Sequence, residues 1–178
     1  QICRKCLMPD TRPRITFKNG ICNSCMSVFE DVETLSRVDY KKRNEEFNEL
    51  LQRINKDSED LNHPFNCIVP WSGGKDSSSV ALKLKKKYNL KPLLVTFNPL
   101  LPTKVGEHNK KALLDHGFES IEIKADVRVS KLLSKRFFIE RGNPKLHWDA
   151  GINAGIFKVA LMTGIKYIFY AIQSKFWG

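Results

Sequence analysis

The stretch Phe65-Asn-Cys-Ile-Val-Pro-Trp-Ser-Gly-Gly-Lys-Asp-Ser-Ser-Ser79 decides how this chain folds. Its first part, residues 65–71, is an apolar run typical of a buried strand, and residues 72–76 form a glycine-rich turn. Apolar side chains then recur at helical spacing over residues 77–88, which predicts a helix. A strand, a glycine turn and a helix in this order are typical of a parallel α/β sheet.

The same alternation continues toward the C-terminus. The predicted elements are a strand at 92–97, a helix at 106–116, a strand at 120–125, helices at 130–140 and 150–163, and a fourth strand at 165–171. This order predicts a parallel sheet with right-handed crossovers and helices on both faces. Gly151 and Gly155 predict close packing of the last helix on the sheet, and Cys67 is predicted to be a small core residue.

The N-terminal third is organised differently. Residues 1–27 are rich in turns and have too few apolar side chains to bury a core, so they need a staple. Residues 28–64 are predicted to form amphipathic helices that end in a polar linker at 55–64. The predicted domains are therefore 1–27, 28–64 and 65–178.

Four of the five cysteines lie in the first 25 residues, as Cys3-x2-Cys6 and Cys22-x2-Cys25. Two such pairs predict a tetrahedral site in which four thiolates bind one structural Zn²⁺. The metal would supply the folding energy that residues 1–27 lack. Two disulfides in a secreted domain and an iron–sulfur cluster are the alternatives.

The net charge and the length of the apolar stretches indicate what kind of partner and location to expect. The formal net charge of +11 lies in residues 66–178, because residues 1–30 carry +3 and residues 31–65 carry −3. Such a field favours an anionic partner. The longest apolar stretch is too short for a membrane span, which needs about 18 residues. A soluble, cytoplasmic protein is expected, and the visible start has no features of a signal peptide.

The glycine turn is predicted to cradle a phosphate. Two glycines allow close backbone approach, successive N–H groups and a helix N-terminus point at the anion, and serine and lysine side chains add donors. A carboxylate inside such a loop requires a cation, so Asp76 is the candidate ligand for Mg²⁺. A Walker A loop is excluded, because Lys75 is followed by Asp76 rather than by serine or threonine. The predicted anion-binding residues are Ser72, Gly73, Gly74, Lys75, Asp76, Ser77 and Ser78.

Two further groups of residues lie at the carboxyl edge of the predicted sheet, where open α/β sheets bind ligands. Thr96 and Phe97 end the second strand. His147, Trp148 and Asp149 stand at a helix entrance and are candidates for substrate contact. The alternative is that Asp149 is an N-cap and Trp148 a core residue.

The sequence SGGKDSS after a buried strand resembles the PP-loop of the ATP pyrophosphatases, whose α/β fold is HUP-like. This resemblance implies that ATP is split between its α and β phosphates and that a substrate oxygen is adenylated. It also implies that Thr96 and Phe97 meet the adenine and ribose. Lys75 and Asp76, the latter through Mg²⁺, would be the catalytic residues that stabilise charge on the departing pyrophosphate.

A narrower resemblance rests on residues 3–17, on Asn19-Gly-Ile-Cys-Asn-Ser-Cys25, on Asn66-Cys-Ile-Val-Pro70 and on Val95-Thr-Phe-Asn-Pro-Leu100. These stretches are similar to the N-acetyl sugar amidotransferases. The resemblance implies a nucleotide-linked N-acetyl sugar as substrate, an acetamidino sugar as product, and a role in lipopolysaccharide O-antigen or flagellar glycan biosynthesis. A separate glutaminase with an ammonia-conducting subunit would be the partner.

The family's members extend further than this chain, so the α/β domain is expected to be incomplete at its C-terminal end. Residues 172–178 lack the Gly-Glu-Asn-like turn expected after the fourth strand.

Two other functions remain open. A zinc-ribbon PP-loop enzyme that thiolates tRNA would suit the positive charge, although such enzymes generally need further cysteines and none follows Cys67. The second alternative is a non-catalytic binding module whose glycine-rich loop has lost its function. Against it, the loop keeps Ser72, Lys75, Asp76 and Ser77 intact.

Overall fold

A computed structural model describes residues 1–60 and 62–171 of the chain. The strands are β1 (Phe17–Lys18), β2 (Ile21–Cys22), β3 (Cys67–Pro70), β4 (Pro92–Phe97) and β5 (Glu119–Ile123). The helices are α1 (Asn23–Ser36), α2 (Tyr40–Asp60), α3 (Lys75–Lys86), α4 (Lys104–Leu114), α5 (Val127–Arg141) and α6 (Leu146–Thr163). In the described part of the chain, no helix is both long enough and apolar enough to cross a bilayer.

The chain divides into two compact units, Gln1–Asn48 and Glu49–Gly178, and the division falls within α2. This helix continues to Asp60, through part of the segment predicted as a linker. The continuation has a packing reason, because Ile54 is fully buried and the neighbouring leucines of α2 pack against the same core. The domain bounds 1–27, 28–64 and 65–178 stay a prediction.

The sheet of the second unit is parallel, in the order β3-β4-β5. Strands β3 and β4 read as nearly unbroken buried runs, which is typical of parallel strands covered by helices on both faces. One face packs in the cluster that contains Val69 and Leu94, and the other packs against α6 through Ile68 and Val95. These observations confirm the predicted parallel α/β fold.

The predicted fourth strand at 165–171 is present only as a single parallel bridge between Ile68 and Ile168. The Ile68 amide donates to the Tyr167 carbonyl at 2.8 Å, and the Phe169 amide donates to the Ile68 carbonyl at 2.9 Å. The segment therefore lies beside β3, on the side away from β4, but its described residues do not continue the ladder. Residues 172–178, where the missing Gly-Glu-Asn-like turn was noted, lie outside the described residues.

Helix α6 packs closely on the sheet at its glycines, as predicted. A Cβ atom at Gly151 would lie 2.4 Å from Cζ of Phe97, and one at Gly155 would lie 2.8 Å from Cδ1 of Ile123. Real Cβ atoms do not come this near to a neighbour, so only glycine allows the observed approach.

We expect Gly155→Val to lower the free energy of unfolding by about 1–3 kcal/mol, because the added methyl groups overpack a buried contact with Ile123. Asn153→Val is the matched control, since Asn153 is exposed on the same helix. Urea unfolding of both variants measures the difference. Equal stability of the two variants would contradict the close packing.

Candidate functional site

The four N-terminal cysteines converge on one point in the first unit. Their sulfur atoms all lie within 4.8 Å of one another. The Sγ atoms of Cys6 and Cys22 are 3.6 Å apart, and those of Cys3 and Cys25 are 4.0 Å apart. With Zn–S bonds of about 2.3 Å, the ligands of a tetrahedral zinc ion are about 3.8 Å apart. The four cysteines are thus positioned to bind a metal ion, and Zn²⁺ fits them.

Local backbone geometry brings the two Cys-x2-Cys pairs together. The second pair begins at Cys22, the last residue of β2, just after the tight turn between β1 and β2 in which Asn19 and Gly20 both have positive φ. A type I′ turn has positive φ at both of its central residues and strongly prefers the sequence Asn-Gly. The amides of Lys5 and Cys22 point at the Cys3 sulfur, at 3.4 and 3.3 Å.

The thiols of this cluster differ in acidity. Backbone N–H groups, that of Cys22 most of all, lower the pKa of Cys3 to about 6. The pKa of Cys25 is raised to about 12, first by its contact with the Cys6 thiol and then by burial. Four thiolates crowded together require a cation among them, because like charges at this distance oppose one another's ionisation.

The alternatives for the cysteines fit this geometry less well. A disulfide needs an S–S distance of about 2.05 Å, whereas the Sγ atoms of Cys6 and Cys22 are 3.6 Å apart. All five cysteines are free thiols. A multinuclear iron–sulfur cluster places metal and sulfide ions between its cysteines, so it needs a wider set of ligands than one ion does. The fifth cysteine, Cys67, is buried in β3 as predicted, and burial raises its pKa to about 12.

In the second unit, the glycine turn connects the carboxyl end of β3 to the start of α3. Gly73 has φ +79°, and a Cβ atom there would lie 3.1 Å from Cγ of Lys110 and 3.3 Å from the carbonyl oxygen of Gly106. Glycine is therefore required at position 73 both by the backbone conformation and by the close approach of α4. Gly74 is the N-cap of α3 and has extended dihedrals, with no side-chain cap bond to the helix.

Hydrogen bonds from neighbouring residues stabilise the glycine turn between β3 and α3. The Trp71 amide donates to the Val95 carbonyl at 2.8 Å, and the Thr96 hydroxyl donates to the Trp71 carbonyl at 2.5 Å. The Trp71 indole donates to the Ser78 hydroxyl at 3.0 Å, which connects the residue directly after β3 to the first turn of α3. The Ser77 hydroxyl donates to the Gly74 carbonyl at 3.3 Å. The turn is therefore stabilised by the hydroxyl groups of Thr96, Ser77 and Ser78.

The outward side of the turn carries the groups that could hold an anion. Ser72, Gly74, Lys75 and Asp76 are exposed, and Lys75 and Asp76 stand in the first turn of α3. The N-terminus of a helix attracts anions through its free N–H groups and its dipole. A phosphate fits this end of α3, and Asp76 is an oxygen donor of the kind that Mg²⁺ prefers.

A cleft of about 310 Å³ lies at the carboxyl edge of the sheet, between the ends of β4 and β5 and the starts of α4, α5 and α6. Its walls mix apolar side chains with charged ones. Its lining residues include Phe97, Asn98, Leu100, Lys110, Glu122, Val127, His147 and Trp148.

A small polar network connects this cleft to the turn. The Lys110 ammonium lies 2.9 Å from Oδ1 of Asn98 and 3.1 Å from Oε1 of Glu122. The Asn98 amide donates to the other Glu122 oxygen at 2.8 Å. These hydrogen bonds, that from Asn98 first, hold the pKa of Glu122 below its usual value. Because the Lys110 stem also packs on Gly73, α4 touches both the turn and the cleft.

Lys110 and Glu122 are not among the site residues predicted from the sequence. A signal was available, because Asn98 and Glu122 stand at the carboxyl ends of neighbouring parallel strands, where side chains meet. Lys110 carried no such signal, since its partners come from two other elements.

Of the three candidates for substrate contact, two line the cleft and one does not. His147 and Trp148 line the cleft, and Phe97 lines it from β4. Asp149 is half-buried in the first turn of α6, and it is absent from the cleft wall formed by the described residues. Lys145 is the N-cap of α6, so the alternative reading of Asp149 as the N-cap is wrong.

No protein-family model matches the chain, and no curated protein matches it. Among solved structures, it is similar to a predicted subunit of tRNA methyltransferase from Methanocaldococcus jannaschii, at 24% identity and a TM-score of 0.40. The match covers 60% of this chain and 52% of that protein, so the chain spans about half the length of its relative.

Proposed function

We propose that this protein is an ATP-dependent amidotransferase of the PP-loop type. It adenylates the acetamido oxygen of a nucleotide-linked N-acetyl sugar and then uses ammonia to form an acetamidino sugar. The observation that carries the proposal is the turn between β3 and α3, which presents backbone amides, Lys75 and Asp76 at the sheet edge beside a cleft. The turn suits the triphosphate of ATP, and the adjacent space suits an organic substrate.

The chemistry follows from the weakness of an amide as an electrophile. The acetamido oxygen attacks the α-phosphorus of ATP, the bond to the β-phosphate oxygen breaks, and pyrophosphate leaves. Ammonia then adds to the carbon of the O-adenylyl imidate, the C–O bond breaks with loss of a proton, and AMP departs. The product is an amidine, and no oxidant or reductant is needed.

Residues of the turn would act on the charge of the leaving group. Lys75 and the amide N–H groups of the turn would stabilise the negative charge that develops on pyrophosphate, which is usually the largest contribution to such catalysis. Asp76 would hold Mg²⁺, which when bound neutralises charge between this carboxylate and the phosphates. The exposed position of both side chains leaves them free to meet a bound nucleotide.

We assign Zn²⁺ to the four cysteines as a structural ion. All four ligands would come from the protein, which leaves no position for a reacting water, and the small hairpin lobe has little core of its own.

Ammonia is expected from a separate partner, a glutaminase with an ammonia-conducting subunit. This assignment rests on the family resemblance, as does the place of the reaction in surface polysaccharide or flagellar glycan synthesis.

The decisive experiment is to measure AMP and pyrophosphate release from ATP with ammonium chloride and UDP-linked or CMP-linked acetamido sugars. Release that requires both the sugar and ammonia is expected. Unmodified tRNA is the competing substrate, because the net charge of +11 also suits RNA. Release stimulated by tRNA would move the assignment to RNA modification. Absence of any release from the longest available form of the protein would favour a non-catalytic module.

A further inference from the structure

Helix α6 is apolar on nearly all of its sides, yet the described residues cover only one of them. Residues 150–163 include a single charged side chain, that of Lys158. The inner face packs on the sheet, where Ile156 and Val159 are buried in the same cluster as Leu93 and Val95. A helix that is apolar all round is typical of one surrounded by protein. The outer face of α6 therefore lacks a partner in the part of the chain that the structure describes.

The outer face carries a row of apolar side chains, which we call the α6 stripe: Ala150, Ala154, Phe157 and Leu161. Steps of four, three and four residues keep these side chains on one side of the helix. All four residues are exposed, Phe157 by 55% and Leu161 by 85%, and Met162 at the edge of the stripe is 76% exposed. Contiguous apolar surface of this kind indicates a contact with another molecule.

We propose that the α6 stripe is a contact between two copies of this chain, in which the two α6 helices pack antiparallel about a two-fold axis. The argument comes from the order of side-chain sizes, because two small residues come first and two large ones follow. An axis that passes between residues 155 and 156 places Ala150 opposite Leu161 of the second copy. It also places Ala154 opposite Phe157 of the second copy. Each layer then pairs a small side chain with a large one, which lets facing helices interlock, and symmetry repeats both pairs.

Other arrangements of the stripe pack less well. Parallel helices would place like residues opposite each other, so two layers would hold only alanines and two would hold only large side chains. The first kind of layer leaves gaps and the second is crowded, and both cost stability. A partner helix of another sequence would have to present large residues opposite the two alanines and small ones opposite Phe157 and Leu161. The antiparallel second copy presents them in this order.

A stable contact needs more area than one helix stripe provides. Interfaces of ordinary size take about 800 Å² from each partner. Helix α5 packs against α6 and exposes three further large apolar residues, Leu132 by 68%, Phe138 by 62% and Ile139 by 71%. With the three large exposed residues of α6 they make six, which at roughly 100 Å² each supply most of the area required. The contact between copies is therefore expected to include α5 beside the α6 stripe.

Charge decides how this contact responds to salt. The net charge of +11 makes two copies repel each other, and α5 contributes to it with five basic residues against one acidic residue. The α6 stripe itself is uncharged. Added salt screens the repulsion, so self-association is expected to strengthen as the ionic strength rises. Binding of an acidic protein or a nucleic acid to the same helices would weaken instead.

Sedimentation equilibrium of the longest available form of the protein, at up to about 100 μM, tests the contact. A reversible dimer that strengthens with added salt is expected. A protein that stays monomeric over this range would overturn the inference, in favour of a stripe that is covered within one chain or by a different protein. Association that weakens with salt would also overturn it. Pyrophosphate release plays no part in this measurement, so the result is independent of the proposed reaction.

Leu161→Glu locates the contact on α6. It places two unpaired carboxylates in the symmetric interface and is expected to weaken the dimer at least about 100-fold. Leu101→Glu is the matched control, because Leu101 is 83% exposed and lies between β4 and α4, outside both α5 and α6. The control should dimerise like the unaltered protein. If the two variants associated equally well, the contact would not lie on the α6 stripe.

A second substitution tests the antiparallel direction and excludes misfolding as the cause of the loss. When Ala150→Lys is combined with Leu161→Glu, antiparallel packing places each new lysine opposite a glutamate of the second copy. The double variant is expected to regain about tenfold of the affinity that Leu161→Glu loses. Positions 150 and 161 are three helical turns apart, so the two new charges cannot pair within one copy. A double variant that associates no better than Leu161→Glu alone would overturn the antiparallel contact.

Discussion

Asp76→Asn is expected to reduce ATP-dependent pyrophosphate release by about 10²–10³-fold, which is the usual cost of removing one group that stabilises charge in the transition state. The substitution preserves the size of the side chain and removes the negative charge that would hold Mg²⁺ beside the phosphates. Asp76 is exposed in the first turn of α3, so the fold should tolerate the change. The loss of a favourable charge near the helix N-terminus should cost about 0.3–1 kcal/mol of stability.

Pyrophosphate release at saturating ATP and Mg²⁺, together with thermal unfolding, tests this expectation. Asp115→Asn is the control, because Asp115 is an exposed aspartate at the end of α4. It should release pyrophosphate at the unaltered rate. If Asp76→Asn turned over as fast as this control, Asp76 would have no part in catalysis.

Cys22→Ser is expected to abolish metal binding by the N-terminal unit and to unfold residues 1–27. The Cys22 side chain is fully buried, its sulfur lies 3.6 Å from that of Cys6, and its amide points at the Cys3 sulfur. A serine hydroxyl is a poor zinc ligand. Binding free energies of about 10–16 kcal/mol have been found for structural zinc in small domains, and a lobe with little core depends on that contribution.

Metal content per chain and the rate of tryptic cleavage at the basic residues of the lobe measure the outcome. The metal content should fall to background and cleavage should accelerate, and a chelator should reproduce both effects in the unaltered protein. Metal affinity should also fall as the pH is lowered, because protons compete for the thiolates. Cys67→Ala is the control, since this thiol is buried in β3 outside the cluster. Cys22→Ser with a full metal complement would refute the assignment.

Features encoded by nearby residues were predictable from the sequence. The glycine turn, the strand before it and the helix after it were all expected, because apolar runs and glycine conformations act over a few residues. The cysteine spacing indicated a metal site for the same reason, since each pair is held by its own turn. The four-residue interval between Gly151 and Gly155 was also readable, because it is one turn of a helix and marks one face.

Other features depend on residues that are distant in sequence. The fourth strand was predicted at full length, yet its described residues make only one bridge to Ile68, because ladder length depends on the partner rather than on β propensity. Helix α2 extends to Asp60 because Ile54 packs in the core, which no local polar signal reveals. Asp149 lies inside α6 rather than at its N-cap, because the helix begins at Leu146 with Lys145 as its N-cap.

The features of the candidate sites also divide into those that the sequence predicts and those that only the fold decides. The sequence alone determined which residues could hold an anion and a metal, because turn and spacing signals are local and each donor type has its own preferences. The tertiary structure alone decided that Lys110, Asn98 and Glu122 form one network. It also decided that His147 and Trp148 line one cleft, where one ring nitrogen of each has no hydrogen-bond partner among the described residues. Hydrogen-bond pairing and burial are properties of three-dimensional neighbours, and three separate elements must pack before either exists.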